Sequence, residues 1–352
     1  MTGSMPPPEP PLELQTARAV LMIRPDRFGG NTETAGSNFF QHAAPDLGDT
    51  ALRAQHEFDT LALALASAGV RVHQFAGQRG AALPDEVFPN NWLSLHADGT
   101  AVLYPMLAPN RRRERRRDIL AALEACGYHI DRVVDLTDLE ARGEYLEGTG
   151  SLVLDRARRV AYACLSPRTR ELALAEFARQ LRYDVVPFTA VDGAGRAIYH
   201  TNVVLSVGTR FAALCTAAIA DAAERRAVVA HLEASQREVI DLSNDELESF
   251  AGNVLELDGA RGPVIALSAA ALRSLAAATR RALERHGRLV TADIATIERI
   301  GGGSVRCMLA EVALPATARD GGSAGIAGRE SRPTARDGGS AGITGGESRP
   351  KR

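Results

Sequence analysis

The chain has 352 residues, 45% of them hydrophobic and 24% charged, with a formal net charge of -2. That is enough apolar material for a substantial globular core, and the near-neutral balance gives no overall field to draw nucleic acid or an anionic membrane. No apolar run reaches the ~20 residues of a membrane span, and Cys126, Cys164, Cys215 and Cys307 stand at neither metal nor redox spacing, which suits free thiols in the cytoplasm.

In chain order, residues 1–15 are proline-rich, lack the apolar core of a signal peptide, and are expected to be disordered. Residues 16–315 are expected to form a single domain. Ala19–Ile23 and Val70–Phe75 read as strands. Between them a helix over 51–68 carries Leu52, Phe58, Leu61 and Leu65 at helical spacing and stops before Gly69. Asp98-Gly99 predicts a hairpin joining Trp92–His96 to Thr100–Tyr104. The basic run Arg111–Arg117 reads as the solvated face of a helix rather than a nucleic-acid patch. Further hairpins fall at 144–165 and 254–267, with strands at Leu152–Leu154 and Val203–Val207. Ser166-Pro167 opens one helix, and Ser268 caps another that carries Leu272, Leu275 and Leu283 up to Gly287. At 316–352, Thr317–Pro333 is followed by a near copy, Thr334–Pro350, that differs at two of 17 positions. Each copy has one large aliphatic residue, Ile326 or Ile343, too little to offset chain ordering, so this tail is expected to be disordered. The class is α/β.

Asn38, Asn91, Glu147, His200, Asn253 and Cys307 lie 53 to 56 residues apart, each in a Gly- or Asn-containing break beside a strand. Such a period suits a ring of five similar modules whose equivalent positions converge on one axis.

Three of these marks could carry chemistry. Cys307 follows Gly301-Gly302-Gly303 and stands beside Arg306. Glycine lets a ligand approach the backbone, and a neighbouring cation favours the thiolate. The other cysteines sit in or beside apolar stretches and read as buried ballast. His200 is a reasonable acid–base partner because imidazole titrates near neutrality, although a strand-end core histidine fits equally well. Glu147 lies among glycines, either against a ligand or in a solvated turn. Asp85 and Phe88-Pro89-Asn90-Asn91-Trp92 form a fourth cluster, whose plainer reading is a polar loop.

Together the four clusters resemble the guanidino-group-modifying enzymes: arginine deiminases, dimethylarginine dimethylaminohydrolases and amidinotransferases. Gly303-Ser304-Val305-Arg306-Cys307-Met308 matches that family's Gly-rich stretch ending in Arg-Cys-Met. Glu147-Gly148-Thr149-Gly150 stands where the family has Glu-Gly-Gly-Asp, His200-Thr201-Asn202 where it has His-x-Asp, and Asp85 to Asn91 where it has Asp-x-Val-Phe-Val-Glu-Asp. Met22-Ile23-Arg24-Pro25 with Phe28, Asn31, Thr34 and Asn38 is most similar to the bacterial citrulline-utilisation hydrolases. The resemblance covers roughly residues 17–315 and implies a five-bladed α/β propeller (the pentein fold) of pseudo-fivefold ββαβ modules. It also implies a C–N hydrolase with Cys307 as nucleophile, His200 as acid and base, and Glu147 as its orienter. Asp85, Phe88, Asn90, Asn91, Asn202, Asn38 and Arg306 carry over as substrate-binding candidates. No metal or organic cofactor is implied, the partner is a small amino-acid substrate, and a homodimer is compatible. Two family aspartates are asparagines here, Asn91 and Asn202, which suits a neutral, citrulline-like ureido group better than a guanidinium. An amidinotransferase using the same nucleophile, and a non-catalytic binder of the same fold, are the alternatives.

Overall fold

The computed structural model describes residues 13–42 and 47–317, and residues up to Thr317 fall in one compact unit. The first strand, β1 (Ala19–Arg24), leads through a long helix, Leu47–Ser67, to β2 (Arg71–Ala76), which pairs with β1 in parallel. Ala54, Phe58, Leu61, Ala62 and Leu65 line the buried side of that helix. Leu52 does not join them: it is 67% exposed, because it falls off the stripe set by the later residues. Past the helix end, Gly69 has φ +85°, and a Cβ there would stand 2.3 Å from that of Ala260, so both conformation and space require glycine.

Four hairpins follow, each closed by a helical segment and a third, parallel strand. They are β3 (Leu93–Leu95) and β4 (Thr100–Leu103) with β5 (Arg132–Asp135), then β6 (Leu152–Asp155) and β7 (Val160–Cys164) with β8 (Asp184–Phe188). Next come β9 (Leu205–Val207) and β10 (Phe211–Leu214) with β11 (Glu238–Asp241), and β12 (Leu255–Gly259) and β13 (Gly262–Ser268) with β14 (Arg288–Ala292). The described residues thus hold five three-stranded sheets of one plan. The β1–β2 sheet completes that plan with β15 (Ala310–Glu311), which runs antiparallel to β1 from the far end of the domain. The strands are short, and the first two of each hairpin are almost wholly buried, so apolar residues fill both faces (Val102 and Leu103; Ala161, Tyr162 and Ala163).

Several local expectations shift. The segment 13–15 is not free chain: Glu13 is buried and ion-paired to Arg156, and Gln15 donates to Leu154 O and Val207 O. At the other end, Ala316 bridges Tyr128 and Thr317 donates to Gly127 O, so the folded part runs two residues further than 315. The proline-rich residues 1–12 and the repeated tail from 318 lie outside the described residues. Val203 and Val204 belong to a helical turn, with the strand starting at Leu205. The helix placed at Ser166-Pro167 starts at Glu171 after a tight turn. Ser268 does cap a helix, accepting from Ala271 N, but Leu275 is extended and splits the segment into Ala269–Ser274 and Ala277–Glu284. Among the described helices none is long and apolar enough to cross a membrane.

Candidate active site

The first strand of each sheet is preceded by a tight turn, and the marked residues sit on those turns. Asn91 ends Pro89–Asn91 before β3, Glu147 caps Gly148–Ser151 before β6, His200 caps Thr201–Val204 before β9, Asn253 precedes β12, and Cys307 lies in Val305–Met308 before β15. Neighbouring turns touch: Pro89–Asn91 meets both Val305–Met308 and Gly148–Ser151, which in turn meets Thr201–Val204. Close approach is possible because glycine stands at the contacts. A Cβ at Gly148 would lie 2.1 Å from Asn90 O, and one at Gly150 would lie 2.5 Å from Asn91 Nδ2 and 2.7 Å from His200 Nδ1.

Cys307 is buried, with two amide N–H groups aimed at its sulfur: Asn253 Nδ2 at 3.4 Å and Asn202 Nδ2 at 3.5 Å. Burial pushes the Cys307 thiol above its ordinary value, while the N–H of Asn253 and Asn202 and the charge of Arg306 oppose the shift. The Phe88 ring packs against Gly301 and Gly303, and a Cβ on Gly303 would stand 3.4 Å from Cys307 Cβ.

His200 Nε2 lies 2.9 Å from Glu147 Oε2. Burial works against the Glu147 charge, yet Arg168, His200 and Arg111 together hold its carboxyl well below the usual range. An ionised carboxylate only accepts, so the His200 proton sits on Nε2 and Nδ1 keeps its lone pair. Burial drives His200 down to about 4 despite the Glu147 bond, with the Arg168 and Arg111 charges adding to the fall, so its resting form is neutral.

Both arginines are buried. Arg168 reaches Glu147 at 3.4 Å, Ser37 Oγ at 2.8 Å and Thr34 O at 3.2 Å, and stacks over Tyr199 at 5.0 Å. Arg111 pairs with Glu114 at 2.9 Å, donates to Asn91 Oδ1 at 2.9 Å, and lies 3.6 Å from Asp85 and 3.8 Å from Glu147. Reading Arg111–Arg117 as a solvated helix face therefore fails at Arg111 and Glu114, which are buried, because the fold brings Asp85 and Glu147 from two other parts of the chain to Arg111. Arg168 directly follows Ser166-Pro167, a signal for a chain turn that says nothing of a buried cation. A sequence signal for Arg111 existed only in the Pro109 that starts its own short turn.

Asp85 is buried, with Oδ2 accepting from Asn31 at 2.7 Å while Oδ1 has no partner. Burial raises its pKa, with Arg111 and Asn31 opposing. Asn90 lacks partners at both side-chain atoms, Asn91 at Nδ2 and Asn202 at Oδ1. Two expected substrate contacts face elsewhere. Arg306 is committed to Glu311 at 2.7 Å and Leu309 O at 2.8 Å, and Asn38 donates to Gly302 O at 3.1 Å, steadying the loop before the cysteine. Among the described residues no group of three His, Cys, Asp or Glu could hold a metal ion.

The family model described as N,N dimethylarginine dimethylhydrolase, eukaryotic, matches residues 24–314. No curated protein sequence matches the chain. Among solved structures, the N-terminal domain of ArgZ covalently bound to a reaction intermediate is similar with TM-score 0.65 at 19% identity, over 84% of this chain and 99% of that one. Full-length ArgZ, an arginine dihydrolase from the ornithine-ammonia cycle in cyanobacteria, has TM-score 0.65 at 18% identity, over 85% of this chain but 41% of its own. A dimethylarginine dimethylaminohydrolase variant, as its adduct with S-methyl-L-thiocitrulline, has TM-score 0.58 at 16% identity, over 84% of this chain and 99% of that one. At such identities these likenesses speak for a shared fold.

Proposed function

Because the chain belongs to the N,N dimethylarginine dimethylhydrolase family, we propose that it hydrolyses a C–N bond of a ureido amino acid, citrulline or a close analogue, through a covalent bond to Cys307. We read its five like sheets as the blades of a propeller, with the five turns gathered at the axis. The four unpaired thiols suit a reducing cytoplasm.

The observation that carries the ureido reading is the orientation of Asn91. Arg111 donates to its Oδ1 at 2.9 Å, which leaves the buried Nδ2 as a donor without a protein partner. A guanidinium offers only N–H groups and would leave that donor unmatched, whereas a ureido carbonyl accepts from it and a ureido N–H meets Asp85 Oδ1. An unmatched buried donor costs about 1–3 kcal/mol, or roughly ten- to a hundredfold in preference.

The protonation states order the steps. Thiol and imidazole both rest neutral, so His200 Nδ1 takes the thiol proton as sulfur attacks the ureido carbon, and Glu147 stabilises the imidazolium. That proton passes to the departing nitrogen, which leaves as an amine while an S-carbamoyl group stays on Cys307. Water then attacks with His200 again as base, releasing carbamate and restoring the thiol. Asn202 and Asn253 donate to the sulfur whenever it is charged. Steady-state rates on citrulline, arginine and methylated arginines test the substrate, and intact-protein mass spectrometry tests the adduct. Citrulline is expected to lead by at least about tenfold in kcat/KM, and a preference for arginine overturns the ureido reading. Transfer of the group to added glycine or lysine overturns hydrolysis.

A further inference from the structure

Next to the Cys307 site, the first strands β6, β9, β12 and β15 enclose a small polar cavity. Gln15, Asn202, Ser206, Glu256, Arg306 and Glu311 supply its polar lining. Most of these side chains have protein partners. Gln15 Nε2 donates to Leu154 O and Val207 O while its Oε1 accepts from Arg156 N. Arg306 and Glu311 bond each other, and Glu256 accepts from Thr209 N. Two atoms stand apart: Asn202 Oδ1 and Ser206 Oγ are buried without a partner. The residues are 1% and 7% exposed, so bulk water does not serve them. The cavity measures about 20 Å³, and about 10–15 Å³ suffices for one water.

The two amides on the sulfur differ in how they are held. Asn253 is fixed at both ends, since its Oδ1 accepts from Arg306 N at 3.0 Å and its Nδ2 donates to Asn202 O at 2.8 Å. Asn202 has no such lock: its Nδ2 touches the sulfur, and nothing in the protein holds its Oδ1. An amide turned end for end has the same shape but would face a thiolate with its oxygen, which is repulsive. Apart from the sulfur itself, no protein group holds Asn202 in that orientation, and its free oxygen belongs to a residue that lines the cavity.

We propose that this cavity is a single-water site, and that the water, bonded to Ser206 Oγ and Asn202 Oδ1, fixes Asn202 with its N–H on Cys307. Ser206 is then a positioning residue for the nucleophile, acting through water and Asn202. This rests on Cys307 being the reactive thiol, as the proposed function has it. The test below reads the thiol directly, so it stands apart from any choice of substrate.

Ser206→Thr and Ser206→Val have nearly equal volume and differ in the hydroxyl. The measurement is the pH dependence of Cys307 alkylation by iodoacetamide, read by mass spectrometry on the peptide containing Cys307 to exclude exposed Cys126. Ser206→Thr is expected to keep the native profile. Ser206→Val is expected to raise the alkylation midpoint by about one pH unit, and to lower kcat about tenfold with KM changing less. Coincident profiles for the two variants overturn the proposal. Should Ser206→Val not fold, a high-resolution crystal structure of the native chain decides the matter: a water bonded to both atoms supports the site, and a dry cavity overturns it. If citrulline is not turned over while the two alkylation profiles still separate, the substrate reading fails and the water site stands.

Discussion

His200 governs how acid acts on this protein. Its pKa falls from 6.5 to about 4 on folding, so between those values the unfolded chain binds the extra proton and stability rises with pH. Urea titrations from pH 7 down to 4 are expected to show the native chain losing about 3 kcal/mol that His200→Gln does not lose. A pH slope equal in the two proteins would mean the imidazole is not buried neutral. Glu147 has the same sign in the window below 4.5, where its depressed pKa withdraws stability. Glu147→Gln is expected to lower kcat about a hundredfold or more, because the imidazolium loses its counter-charge. Cys307→Ser should reduce turnover about a thousandfold or more and abolish any covalent adduct. Cys307 and Glu147 stood out in the sequence because a titratable group near glycine is an uncommon combination, and His200 because imidazole titrates near neutrality. Arg111 and Arg168 did not. A cation's role depends on which carboxylates the fold brings to it, and Glu147 lies 36 and 21 positions away in sequence from the two arginines it joins.

The working element is a helical turn set just ahead of a buried strand. It projects one polar side chain inward and needs glycine where the next turn crosses it. Gly150→Ala is expected to displace His200 or Asn91 and reduce activity by an order of magnitude or more, since its Cβ would fall within 3 Å of both side chains. Gly143→Ala is the matched control. It has φ +70° with nothing within 4 Å, so it should lose about 1 kcal/mol of stability and leave kcat unchanged. Equal loss of activity in the two variants would make the Gly150 contact irrelevant. Hairpins were easy to place from sequence, as at Asp98-Gly99, because turn chemistry is local. The parallel third strands β5, β8, β11 and β14 escaped notice: β5 is short, mostly exposed and charged at both ends, and β8 carries a proline inside its apolar run, which argues against a strand. The break at Leu275 likewise has no glycine or proline to announce it.

At the scale of the whole domain, the even spacing of the marks anticipated five like modules, because one module length between equivalent turns is a property of the chain itself. It could not reveal how the first module is finished, since β15 is two residues long. Nor could it reveal the segment Glu13–Ala17, whose anchors lie in several sheets. Glu13 pairs with Arg156, accepts from Tyr183, and joins through Arg156 to Glu311 and so to Arg306 beside the cysteine. Glu13→Gln should destabilise the domain by about 3 kcal/mol by urea unfolding, the lower end of the range for breaking a buried pair, because Arg156 keeps Glu311. No change in the unfolding midpoint would place Glu13 outside the cooperative unit. The pairing of β15 with β1 also has a consequence during synthesis. One edge of β1 waits, unpaired and sticky, until the opposite end of the domain leaves the ribosome, a delay on the order of tens of seconds. The strand that finally covers it follows closely on Cys307, so the turn that carries this thiol is pinned to the domain only as its last open edge is sealed.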